Sequence, residues 1–322
     1  MHGVWGTYKT SRSNSTVPHS THSLPPMPSQ LVWVITGTSY VGIGRELTFA
    51  ALNRGDKVIA TARARSISAL GDLKDKGADI LELDVTSPLE NLKEIAAAAV
   101  KIHGRVDVLV NNAGALTTAA ILEDQSPEET LQQMNTNILG PLNVTRAFLP
   151  YMRERRVGTI IWIGSLGGWM SFPLCGAYCA SKYAMRGVSQ ALHTEIAPLG
   201  LRSICIELGN YRTEFLSPSH RAPLRQKIED YKEMAEAGDA FVSGFHGKEP
   251  GSPAKATSII VDIVRGEGMA EGKDVPLVLS LGRDCYGGVK KVCEDTLRRL
   301  EEWKEVSIST DLDDTDCIRL AI

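Results

Sequence analysis

No CxxC pair and no regular spacing occurs among the six cysteines. That removes a thiolate metal knuckle and a secreted disulfide framework from consideration, and the cysteines read as reduced, mostly buried thiols. Long apolar runs are missing too: stretches such as Leu31 to Ile35 fall far short of the roughly 18 residues of a membrane span. Nor does either sign of charge dominate. Thirty-five Lys and Arg against 38 Asp and Glu leave a formal net charge of -3, which argues against a basic surface that coats nucleic acid. What the 322 residues do have is 43% hydrophobic and only 23% charged content, enough for a full-sized core rather than a disordered chain.

Residues 1–29 are poor in another way. They hold Lys9 and Arg12 but no acidic residue, and they lack the continuous apolar centre of a secretory signal. Their Ser, Thr, Pro and His bias predicts a disordered leader, with an organelle-targeting segment as the alternative. One domain is expected over 30–308, then an acidic tail over 309–322, and the location is expected to be cytoplasmic.

Within that domain, β-rich runs recur at Leu31–Thr36, Lys57–Ala62, Ile80–Leu83, Val106–Val110, Thr159–Gly164, Ser203–Glu207 and Pro276–Ser280. Helical periodicity fills the gaps. Ile43, Leu47, Ala50 and Ala51 form one apolar face, as do Ile95, Ala98, Ala99 and Ile102, and later Val289, Val292, Cys293, Thr296, Leu300 and Trp303. Such alternation predicts an α/β fold: a doubly wound parallel sheet of seven strands, joined by right-handed crossovers, with helices on both faces. The segment at about 210–251 breaks the rhythm and reads as a substrate loop, with a helix placed on Leu224, Ile228, Tyr231 and Ala235. Ser252-Pro253 reads as an N-cap with proline in the first turn of the next helix.

The first strand runs into Thr36-Gly37-Thr38-Ser39-Tyr40-Val41-Gly42-Ile43-Gly44, and a helix follows at once. Glycine there lets the backbone approach a pyrophosphate, and the helix start offers free N–H groups and a positive dipole end. This strand–turn–helix reads as a phosphate-binding turn rather than an ordinary βα turn, and a nicotinamide dinucleotide is expected. At the end of the second strand an acidic residue would accept from the ribose 2′-hydroxyl. This chain has Arg63 instead, with Arg65 close by. A guanidinium suits a 2′-phosphate by charge and fork geometry, so NADP(H) is favoured over NAD(H).

Tyr178 and Lys182 stand four residues apart in Gly176-Ala177-Tyr178-Cys179-Ala180-Ser181-Lys182, on one helical face. An ammonium beside a phenol favours the phenolate and is expected to lower the phenol pKa. Thirteen residues upstream, Ser165 ends the strand Thr159–Gly164, at the sheet edge where α/β proteins bind ligands. His193 and Glu195 find no second histidine to complete a metal site, so no metal is expected.

These residues, with Asn111-Asn112-Ala113-Gly114 after the fourth strand, resemble the short-chain dehydrogenase/reductase family in its single-domain form. The resemblance covers roughly residues 31–305. Asp84-Val85 resembles the family's adenine-contacting step, and Asn137, in Asn137-Ile138-Leu139-Gly140, matches its fourth catalytic residue. Leu279-Ser280-Leu281-Gly282-Arg283-Asp284 is similar to a subgroup with retinol- and steroid-dehydrogenase-like members and fungal oxidoreductases. The resemblance implies that Tyr178 exchanges a proton with the substrate oxygen and that Ser165 holds that oxygen. It implies that Lys182 tunes Tyr178 and binds the nicotinamide ribose, and that Asn137 holds a relay water. Cofactor contacts are implied at Gly37, Thr38, Ser39, Gly42, Ile43, Gly44, Arg63, Asp84, Val85, Asn111, Ala113, Gly114, Gly209 and Thr213, besides Tyr178 and Lys182.

Two departures stand out. Four residues separate Gly37 from Gly42 where the family usually has three, so Tyr40 or Val41 must bulge. Leu208-Gly209 replaces the usual Pro-Gly, losing proline rigidity. Trp169, Phe172, Phe215, Leu216, Tyr231, Met234, Phe241 and Phe245 cluster in segments expected to roof the site and point to a lipophilic substrate. The resulting expectation is an NADP(H)-dependent oxidoreductase interconverting a carbonyl and an alcohol, reducing a bulky lipophilic ketone or aldehyde, in a possible homo-oligomer. An NAD-dependent alcohol dehydrogenase, a non-catalytic NADP-sensing regulator and an epimerase or dehydratase are the alternatives.

Overall fold

A computed structural model describes residues 28–311. Nearly all of the leader expected over 1–29, and of the tail expected over 309–322, lies outside the described residues.

Seven strands form one sheet: β1 (Val32–Ile35), β2 (Lys57–Ala62), β3 (Asp79–Glu82), β4 (Val108–Asn111), β5 (Gly158–Ser165), β6 (Leu201–Leu208) and β7 (Val278–Leu281). Their order is β3-β2-β1-β4-β5-β6-β7, every pair parallel. The chain runs outward from β1 to β3, then returns to lay β4 on the other side of β1. The crevice past the ends of β1 and β4 is therefore the switch point where a doubly wound sheet binds its ligand. The expected strands fall within about two residues of those observed.

Strand alternation divides the core. Val32 and Val34 face one apolar layer, with Leu109, Ile160 and Trp162; Trp33 and Ile35 face the other, with Val108, Val110 and Ile161. Helices α1 (Ile43–Asn53), α2 (Gly71–Asp75), α3 (Leu89–His103), α4 (Pro127–Met134), α5 (Gly140–Arg155) and α6 (Gly176–Ile196) follow the first five crossovers. After them come α7 (Lys232–Phe245), α8 (Pro253–Arg265), α9 (Arg283–Glu302) and α10 (Lys304–Ile308). The first layer packs under α3, α5 and α6 and the second under α1 and α8.

Three local expectations need correction. In α3 the buried residues are Leu92, Ala96 and Ala99, while Ala98 and Ile102 are exposed. An alanine run carries little directional signal, and the one large side chain, Leu92, sets which face turns inward. No helix forms around Leu224, which makes a parallel bridge with Ala119, backed by Arg225 N–H donating to the Ala119 carbonyl. A 3-10 turn over Glu229–Tyr231 leads into α-helix at Lys232, so Tyr231 and Ala235 of the expected helix are helical and Leu224 and Ile228 are not. Finally, the apolar stripe of α9 is buried only at its start, through Cys285; Leu300 and Trp303 are exposed. The Ser252 cap does form, with its hydroxyl accepting from Lys255 N–H.

Candidate active site

The glycine turn lies against the loop after β4. Gly37 has φ +70°, and a Cβ there would meet the Ala113 backbone at 2.8 Å. At Gly44 a Cβ would stand 2.3 Å from Asn112 Nδ2. Asn112 Nδ2 donates to the Thr36 and Gly37 carbonyls at 2.7 and 3.0 Å, and the Thr36 hydroxyl accepts from the N–H groups of Asn112 and Ala113. Gly42 opens α1 in extended backbone with no side-chain cap, so the first-turn N–H groups are left for another acceptor. A glycine-lined cradle beside an uncapped helix start fits a dinucleotide pyrophosphate.

The extra residue resolves simply. Val41 points to solvent, while Tyr40 folds its ring over Gly42 and tilts against His220 at 4.8 Å. Thr38 is fully buried, with both its N–H and hydroxyl given to the Thr61 carbonyl. Ser39 is half-buried at the turn. Arg63 is exposed at the end of β2, and its charge reaches the Tyr40 phenol, where it opposes the larger upward push of burial. Asp84 accepts from the Thr86 N–H and hydroxyl, and Val85 is buried beside Gly140.

Asn111 lies elsewhere than its expected place beside the cofactor. Its Nδ2 donates to the Thr145 hydroxyl of α5 at 2.8 Å, and it is buried in that layer. Asn112 lines the cavity instead. Strand alternation explains the swap: Asn111 shares a face with Leu109, which belongs to the α5 layer.

Ser165, Tyr178 and Lys182 meet on one wall of a cavity of about 460 Å³ that also takes in Gly42, Ile43, Gly114, Gly209 and Thr213. Ser165 Oγ accepts from Gly167 N–H at 3.1 Å, which leaves its own proton free to donate. Lys182 Nζ is buried, donates to the Ile163 carbonyl at 2.7 Å and lies 5.7 Å from the Tyr178 ring centroid. Burial lowers the Lys182 pKa to about 8. The expected lowering of the Tyr178 pKa by Lys182 is reversed in the protein alone. Burial pushes the phenol well above its ordinary value, and the Ser165 hydrogen bond pulls only part of the way back. The lysine stands off the ring and is spent on a carbonyl, so desolvation wins.

Asn137 sits in a π-helical turn (Asn135–Leu139) between α4 and α5, a distortion that often marks a functional position. Its side chain accepts from Ala115 N–H and donates to the Ala115 carbonyl and the Ser181 hydroxyl, at 3.0 to 3.1 Å. Space between Asn137 and Lys182 is kept open by Gly114, where a Cβ would lie 3.4 Å from Asn137 Oδ1 and 3.8 Å from Lys182 Nζ.

Of the expected roof, Phe172, Phe215, Leu216, Phe241 and Phe245 line the cavity. Trp169 instead stacks under the Arg186 guanidinium at 3.9 Å and donates to the buried Glu207. Tyr231 donates to Glu123, and Met234 is exposed. Long aromatics in a loop signal burial without saying into which pocket.

The residue that compensates for the missing proline lies far along the sequence. Asp284, in the first turn of α9, accepts from Asn210 N–H at 2.6 Å and from its Nδ2 at 2.9 Å. A Cβ on Gly209 would stand 2.1 Å from Asp284 Oδ1. Asp284 thus pins a cavity wall, Gly209 to Tyr211, from behind. Asp284→Ala is expected to raise the cofactor KM about tenfold with a smaller change in kcat, because two charge-assisted bonds are lost. Steady-state kinetics at saturating second substrate checks this.

Known proteins agree with this geometry. The family model described as short chain dehydrogenase matches residues 31–223. Oxidoreductase BOA17 of Botryotinia fuckeliana is 32% identical over 281 residues, 87% of this chain and 98% of that protein. A 3-ketodihydrosphingosine reductase of Bacteroides thetaiotaomicron is 36% identical over 205 residues, 64% of this chain and 72% of its own. Among solved structures, a short-chain dehydrogenase from Streptomyces avermitilis superposes with TM-score 0.77 at 35% identity, covering 88% of this chain and all of that one. A closed serine dehydrogenase complexed with NADP+ gives 0.63 at 27% identity, over 78% and 94% of the two chains. A family model that spans residues 31–223, and a relative 32% identical over 98% of its own length, together settle the matter: the chain belongs to the short-chain dehydrogenase family of NAD(P)-dependent oxidoreductases.

Proposed function

We propose that this enzyme uses NADPH to reduce the carbonyl of a bulky apolar ketone or aldehyde to an alcohol. The observation that carries the reading is the convergence of the Ser165 hydroxyl and the protonated Tyr178 phenol on a cavity whose lining includes Phe172, Phe215 and Phe241. When bound, the reduced nicotinamide supplies the hydride. Ser165 donates a hydrogen bond to the carbonyl oxygen and holds it in place. Tyr178 delivers its proton to that oxygen as the alcohol forms. The phenol starts in the protonated state that an acid requires, and the burial that makes its anion costly is what the proton return through Lys182 has to offset. Lys182 anchors the nicotinamide ribose and, with a water held toward Asn137 Oδ1 in the space beside Gly114, returns a proton to Tyr178. The name of the Bacteroides relative, a keto reductase, is in line with this direction.

NADPH is preferred on the strength of Arg63, whose guanidinium has no hydrogen-bond or ionic partner among the described residues and which stands exposed at the end of β2. The bound NADP+ in the serine dehydrogenase structure is consistent with that choice. Arg63→Ala is expected to raise the KM for NADPH about tenfold or more and to leave the KM for NADH nearly unchanged. Equal effects on both cofactors would remove the argument. The whole reading is tested by supplying purified enzyme with NADPH and a panel of aryl and alkyl ketones, following absorbance loss and identifying the alcohols.

A further inference from the structure

One ionisable residue of the cavity wall has no part in the reaction outlined above. Glu249 follows α7 and lines the cavity near Phe241, Val242 and Phe245. Its side chain is 1% exposed, and among the described residues neither carboxylate oxygen has a hydrogen-bond partner. The His246 ring stands beside it, with Nδ1 3.4 Å from Oε1, but the two make no hydrogen bond. Arg212 also comes close, yet its guanidinium donates to the Glu249 backbone carbonyl at 3.1 Å and not to the carboxylate.

A carboxylate removed from water with no hydrogen bond, and only the His246 imidazole beside it, is costly to keep. Buried polar groups in native proteins nearly always have partners, and an orphan beside a ligand cavity is explained by a group the ligand brings. That group must donate hydrogen bonds. A hydroxyl would give one donor and leave the charge standing. An ammonium gives donors and cancels the charge, which is what a desolvated carboxylate requires.

We propose that Glu249 binds a cationic amine on the substrate, so that the carbonyl compound taken by this enzyme is an amino ketone with an apolar body. This rests on the carbonyl-reductase reading and narrows it. The apolar part lies along Phe241 and Phe245, the amine reaches Glu249, and the carbonyl faces Ser165 and Tyr178.

The test uses phenyl ketones carrying a dimethylammonium group two to five carbons from the carbonyl. Each is paired with the isostere in which isopropyl replaces the ammonium group and with the analogue in which hydroxyl does. Ligands are titrated calorimetrically into enzyme saturated with NADP+, where no hydride is available to react. The ammonium ketone of matching length is expected to bind about tenfold or more tightly than its isostere. Glu249→Gln is expected to bring that ratio close to one. Gln keeps the size of the side chain, and the contact with His246 that it alters carries no hydrogen bond, so thermal stability is expected to change little. Equal affinities within every ammonium–isopropyl pair overturn the proposal, as does a ratio that survives Glu249→Gln. A hydroxyl analogue that binds as tightly as the ammonium ketone overturns the choice of a cation. If the ratio holds but no ketone is reduced with NADPH or NADH, the amine site stands and the reductase reading falls.

Discussion

Tyr178→Phe is expected to reduce kcat for carbonyl reduction by about a thousandfold, the scale of losing a positioned general acid. The change deletes one hydroxyl and keeps the ring that tilts against Phe215 at a centroid distance of 5.7 Å, so the cavity wall keeps its shape. Ser165 cannot take over. Its hydroxyl can polarise the substrate oxygen, but an aliphatic alcohol has no accessible anion to leave behind after giving up a proton. The Tyr178 phenol is protonated across the neutral range, so it enters the reduction as the donor, and its aromatic ring delocalises the charge left when the proton goes. Binding of the cofactor, followed by fluorescence titration, is expected to change far less than kcat. Turnover that persists within about tenfold of wild type would place the proton donor elsewhere and sink the mechanism.

How much of this was legible in the sequence depended on whether a signal was local. The strands around Val34, Ile59 and Ile161 announce themselves through runs of β-branched residues, and Ser252 through its capping chemistry. The Ser165, Tyr178 and Lys182 spacing is equally local, and the fold brings those three together on one wall. Asn112 was not expected at the cofactor: of the Asn111-Asn112 doublet only Asn111 was, and it is the alternation along β4 that turns Asn112 toward the glycine turn. Asp284 and Glu249 were not legible in function at all. Their roles depend on partners roughly 74 residues away, or on the absence of any partner, and no periodic pattern encodes that. The direction of the Tyr178 shift was misread for a related reason. Spacing brings Lys182 near, but it does not disclose that the ammonium is committed to the Ile163 carbonyl or how deeply both groups are buried.

Lys182→Met is expected to lower turnover about a hundredfold and yet make the cofactor-free protein more stable near pH 7. The first effect follows from losing the group that returns protons to Tyr178. The second follows from burial. Lys182 falls from an ordinary 10.5 to about 8 in the folded chain, and that difference corresponds to about 3 kcal/mol of destabilisation while the group is charged. Methionine fills a similar volume without charge but forfeits the bond to the Ile163 carbonyl, worth about 1 kcal/mol. The net gain is therefore about 2 kcal/mol, read as a rise of a few degrees in Tm. Between pH 8 and 10.5 the unfolded chain holds the lysine proton and the folded chain has released it, so wild-type stability rises with pH through this window. The gap between variant and wild type should then narrow as pH climbs from 8, close at about pH 9.5 and reverse by up to about 1 kcal/mol above about pH 10.5, where only the lost hydrogen bond remains. Above about pH 10 the raised pKa of Tyr178 acts with the opposite sign, because the unfolded phenol ionises first, but this contribution is common to both proteins and cancels in the comparison. Circular-dichroism melts at pH 7 and pH 9.5 read out the prediction. A Met variant less stable than wild type at pH 7 would mean that the lysine is solvated or paired in the folded protein. A constant gap at both pH values would mean that some other feature of the substitution, not the buried charge, sets it.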